Sequence, residues 1–101
     1  MGMSNLARMA QQMQADMARV DQELRDLQVE GSAGGGVVKA VVTGKQEIVS
    51  VTIDPGVVDP EDVEMLQDLV VAAVGDALAN ARQTAEDKLA RVTGGLRLPG
   101  M

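Results

Sequence analysis

Leu6, Met9, Met13, Met17, Val20, Leu24 and Leu27 recur three or four residues apart near the start of the chain. At about 100° per residue they fall within an arc of about 80°, which predicts one long amphipathic helix with a narrow apolar seam. Ser4 is a candidate cap at its start, and the pattern runs to about Leu27. In a chain of 101 residues, a helix of that length must lay its seam against a second helix or another molecule.

The segments that follow change character. Gln28–Ser32 reads as a short extended stretch, and Gly34-Gly35-Gly36 as a turn that needs positive φ. Val37–Thr43 is rich in β-branched residues and predicts a strand with Val38, Ala40 and Val42 on one face. Gly44-Lys45 makes a tight turn into a partner strand over Glu47–Asp54, with Val49, Val51 and Ile53 facing the core. Asp59 is a candidate N-cap for a second helix, with Pro60 at its first position and Glu61 and Asp62 near the positive end of its dipole. Val63, Leu66, Val70, Ala73, Ala77, Ala81, Ala85, Leu89 and Val92 give that helix a seam ending at Gly94-Gly95. The expected fold class is α+β, with an α-β-β-β-α order and a three-stranded antiparallel sheet. Residues 1–95 read as one domain and 96–101 as a loose tail. Helices of roughly 35 to 50 Å overhang strands about half as long. The uncovered seams therefore predict a homodimer.

Composition narrows the chemistry. The chain has no Trp, Tyr, Phe, His or Cys. Disulfides and thiolate metal sites are excluded, and so is acid–base work by histidine or nucleophilic attack by cysteine. Ser4, Ser32 and Ser50 have no obvious base beside them. The Asp59–Asp68 acidic stretch reads as dipole compensation and a solvated face, not a metal site. The triple glycine lacks the Gly-Lys-Ser/Thr of a phosphate cradle. The expectation is a protein that is not an enzyme, with no cofactor, no metal and no small-molecule substrate. Nothing resembles a signal peptide or reaches the ~18 apolar residues of a membrane span, pointing to a soluble, intracellular protein without a membrane partner.

Charge supplies the remaining clue. The formal net charge is −6, but its distribution is uneven. Asp54, Asp59, Glu61, Asp62, Glu64 and Asp68 share their stretch with no base, whereas Arg82, Lys88, Arg91 and Arg97 lie toward the end. Arg8 and Arg19 are eleven residues apart, which puts them on one helix face opposite the apolar seam, roughly 16 Å apart along the axis. That array suits phosphate contacts, and it is also an ordinary solvated surface; spacing alone leaves both readings open. Arg82 can pair with Glu86 and Arg91 with Asp87 at four-residue spacing. Lys88 and Arg97 have no such partner and are freer to meet phosphate. An alternative, favoured by the net charge, is an acidic helical dimer that recruits another protein through Asp59–Asp68 or its methionine-rich groove.

A resemblance then bears on the choice. Asn5-Leu6 with Ala10-Gln11-Gln12-Met13-Gln14, Val37-Val38-Lys39, Val51-Thr52-Ile53-Asp54-Pro55, the run Asp62–Val71 and Gly95-Leu96-Arg97-Leu98-Pro99 together resemble the YbaB/EbfC family of bacterial nucleoid-associated proteins. The likeness covers nearly the whole chain in order. It implies a tweezer-like homodimer whose projecting helices bind double-stranded DNA, a place in the cytoplasm at the nucleoid, and a role in nucleoid organisation and gene expression. By position it implies DNA contacts from Arg8, Arg19 and Lys88; charge and location add Arg91 and Arg97. Asp16 and Ala79-Asn80 stand where members of the family can carry basic residues, which implies weaker, more salt-dependent binding.

Overall fold

Three short strands between two long helices make up residues 2–93, the part described by the computed structural model. The elements are α1 (Gly2–Asp26), β1 (Gln28–Ala33), β2 (Val38–Thr43), β3 (Ile48–Ile53), a 3-10 turn at Pro55–Val57, and α2 (Val63–Thr93). The sheet is antiparallel in the order β1-β2-β3. The expected α-β-β-β-α order is therefore the one the chain adopts. Gly34, Gly35 and Gly36 all have positive φ, at 64°, 73° and 97°, and turn β1 into β2 where a Cβ would be strained. Gly94-Gly95 and the 96–101 tail lie outside the described residues.

The core is built from small side chains. Val38, Ala40 and Val42 of β2 meet Ala73, Ala77 and Ala81 of α2, and all six are fully shielded. Alanines four apart form a flat strip along the helix, so α2 can lie almost on the sheet backbone. Gly31 makes this approach feasible on β1. A Cβ there would collide with the backbone nitrogen of Ala77 and sit 2.7 Å from the Ala73 carbonyl oxygen. A chain without aromatic rings thus reaches a dense interior by close backbone contact instead of bulk.

The helix also closes one edge of the sheet. The Ser32 amide donates to Asp76 Oδ2 (3.0 Å), and Asn80 Nδ2 donates to the Glu30 carbonyl (3.0 Å). Two polar side chains of α2 therefore occupy outward backbone groups of β1, the usual hazard of an edge strand.

Strand β3 departs from expectation. Val51 pairs with Ala40 and Ile53 with Val38, so both lie on the α2 side of the sheet. But α2 packs chiefly on β1 and β2, and Val51 is 39 % and Val49 49 % exposed. Only Ile53 of the three predicted core residues is half-buried and packed against the core. Register adds a second correction. Val41 pairs with Ser50 but Val42 with Ile48, a bulge that leaves Val49 as the extra residue.

The start of α2 also differs. Asp62, not Asp59, caps the helix, its Oδ1 accepting from the Met65 amide (3.2 Å). Asp59 instead organises the preceding turn: its side chain accepts from the Glu61 amide (2.9 Å) and its carbonyl from the Asp62 amide (2.9 Å). The fixed φ of Pro60 suits the second position of such a turn as well as a first helical position.

The seam of α1 is used in part. Val20 and Leu24 are buried, and Met13 and Leu27 half-buried, whereas Leu6, Met9 and Met17 are exposed. Residues 3–12 are exposed throughout. The helix is held at its C-terminal end, where Lys45 Nζ from the β2–β3 turn and Arg25 Nη2 each lie 2.7 Å from Asp21. From there it runs outward as an arm, and the molecule measures 72 × 29 × 16 Å. None of the described helices is long and apolar enough to cross a membrane.

Candidate nucleic-acid interface

The arm has two chemically distinct sides. One carries the uncovered apolar seam. On the other, Arg8 is exposed and has no ion-pair partner among the described residues, while Arg19 lies eleven residues along the same helix. The two are held on one face by the helix itself, since eleven residues are close to three full turns.

Arg19 is not free. Its Nη1 lies 3.1 Å from Asp16 Oδ1 and its Nε 3.7 Å from Glu23 Oε1. Gln12 Nε2 donates to the same Asp16 oxygen (3.0 Å). Lys88, expected to lack a partner, lies with its Nζ 3.5 Å from Glu23 Oε2. The two residues are 65 apart in sequence, and their meeting follows from the packing of α1 against α2. Glu23 thus receives one cation from each helix. The structure brings Arg19 and Lys88 to this shared carboxylate and leaves Arg8 further out along the arm.

The anticipated pairs on α2 are not made. Neither Arg82–Glu86 nor Arg91–Asp87 is an ion pair; Asp87 accepts from Gln83 Nε2 instead (3.0 Å). Exposed pairs of this kind stabilise little and are readily exchanged for water. Arg82 and Arg91 are both exposed, so Arg82 joins the available cations that the four-residue spacing had assigned to a partner. Arg97 lies outside the described residues. The Glu23–Lys88 contact is between helices and leaves no local signal, whereas Arg19–Glu23 is a four-residue spacing within α1 that the sequence does carry. Among the described residues no three acidic side chains gather closely enough to hold a metal ion.

Asp21 is the electrostatic anchor of the arm. The hydrogen bond from Lys45 is the main cause holding its pKa below the ordinary value; desolvation opposes it, and the charges of Arg25 and Lys45 add to the lowering.

The YbaB/EbfC DNA-binding family matches residues 1–96. The chain belongs to this family. A nucleoid-associated protein of Moorella thermoacetica is 52 % identical over 103 residues, covering 99 % of both chains. Another, from Acetivibrio thermocellus, is 52 % identical over 99 residues, covering 97 % of this chain and 88 % of the relative. The fold is shared with an uncharacterized protein of Helicobacter pylori, whose crystal structure superposes with a TM-score of 0.67 at 22 % identity over 95 % of this chain and 97 % of that one. The family is thus one of DNA-binding proteins.

Proposed function

We propose that this chain is a nucleoid-associated DNA-binding protein acting in the cytoplasm at the nucleoid, where it organises DNA and influences gene expression. Family membership supports DNA binding, and the observation that carries the site is the projecting α1 arm, with Arg8 and Arg19 on its exposed face. The working form is a homodimer in which a second copy covers the α1 seam and the apolar surface of β3 around Ile48 and Val51. The exposed apolar side chains on both of these elements support this reading. Residues 1–95 act as one unit, with Arg97 beyond it. Neither cofactor nor catalysis is involved.

DNA is held through its phosphates by Arg8, Arg19, Lys88, Arg91 and Arg97. Contacts from arginine and lysine to phosphate neutralise charge without reading bases. Sequence preference is therefore broad. If four phosphates are neutralised, affinity falls roughly a hundredfold between about 50 and 200 mM salt. Anisotropy titration of a labelled duplex at two salt concentrations tests this. Absence of binding by micromolar protein at low salt refutes it. The R8E/R19E variant loses at least about tenfold in affinity while its dimer mass is unchanged; undiminished affinity moves the site off α1.

A further inference from the structure

We propose that Asp16 and Glu23 are built-in competitors of DNA phosphate, screening the cations of the binding face until a dense phosphate array displaces them. The inference rests on the DNA reading above and specifies how that same site is regulated. Arg19 lies between the two carboxylates, 3.1 Å from Asp16 and 3.7 Å from Glu23. Lys88, from the other helix, shares Glu23 at 3.5 Å. A carboxylate presents two anionic oxygens to a guanidinium much as a phosphate does. Here these oxygens occupy the cations from within the chain.

The geometry divides the candidate contacts into two classes. Arg8 has no carboxylate beside it among the described residues and is the first cation an approaching phosphate meets. Arg19 and Lys88 are released only when phosphate outcompetes groups already held next to them. All of these pairs are exposed or half-exposed, with side-chain exposures of 60 % for Arg19, 25 % for Asp16, 46 % for Glu23 and 27 % for Lys88. Water screens such pairs, so each is weak enough to exchange. A lone phosphate gains little by replacing them. A duplex, whose phosphates recur along both strands, replaces several at once and is selected for that reason.

The test compares the wild type with D16N/E23Q and with E61Q/E64Q, each double variant removing two negative charges. The amide oxygens that D16N/E23Q introduces can still accept from Gln12 and Lys88, so the helix and the α1–α2 contact are preserved. Circular dichroism checks this, and either single substitution serves if the double loses helix. In low-salt anisotropy titrations with a labelled duplex, D16N/E23Q binds about three- to tenfold more tightly than the wild type. The E61Q/E64Q variant, altered at the opposite end of α2 from Lys88, changes by less than about twofold. The D16N/E23Q gain vanishes when Arg19→Ala and Lys88→Ala are added, since nothing is left to unmask. Equal gains in both double variants, no gain in D16N/E23Q, or a gain that persists without Arg19 and Lys88 overturns the inference. Failure of every protein, D16N/E23Q included, to bind DNA refutes the DNA reading itself and takes the inference with it.

Discussion

Where α2 crosses β1 and β2, the chain brings Gly31 against Ala73 and Ala77 until backbone nearly touches backbone, and both alanines are fully shielded. Along α1 up to Arg19 the same chain leaves Leu6, Met9 and Met17 in solvent, with roughly 25 Å of helix beyond its last buried contact. Both regions carry regular apolar periodicity. They differ in what faces them: the alanine strip meets a strand pair of its own width, whereas the methionine seam extends past the end of the sheet. Rigid small-residue packing suits the part that must hold shape. Unbranched, adaptable methionine suits a surface completed by another molecule.

The harshest way to break the contrast is Gly31→Val. Its side chain has no space against Ala77, and the fold loses more than about 3 kcal/mol, read as collapse of the cooperative thermal transition. Substituting Leu6 and Met9 together by Asp tests the other region. The protomer keeps its strand and α2 signals by circular dichroism, while light scattering shows the mass falling from dimer to monomer. A variant that unfolds instead would mean the arm belongs to the protomer core. Next comes Val51→Lys on β3, which weakens self-association without lowering the stability of the isolated protomer by more than about 1 kcal/mol, because the side chain is already partly in water.

The smallest effect is at the hinge between the regions. Asp21→Asn removes the anchor shared by Lys45 and Arg25 and lowers the melting temperature slightly. The sign of its pH dependence follows from the lowered pKa. Stability from ionised Asp21 is complete above the ordinary carboxylate range and is lost as pH falls through its lower folded value. Melting curves from neutral to acidic pH therefore converge for wild type and variant. A difference that widens on acidification contradicts the assignment.

The helices, the three strands and the glycine turn were legible because each is a local pattern: spacing of three and four, β-branched runs, consecutive glycines. The Arg8–Arg19 face was legible for the same reason, being a property of one helix. Other features were decided by geometry between elements. Val49 and Val51 have the alternation of core residues, yet α2 packs chiefly on two of the three strands, and the bulge at Val41–Val42 shifts what lies opposite. Asp59 and Asp62 are both credible caps, and the Pro60 turn settles which one serves α2. Lys88 had no neighbour in its own helix to pair with. Its partner Glu23 comes from the first helix, far away in the sequence, and only the packing of α1 against α2 brings them together. Periodicity within the sequence determined which faces are apolar and which are cationic. The tertiary structure decided which apolar faces are covered and which cations are masked, because burial and charge pairing depend on distances between elements that no local pattern encodes.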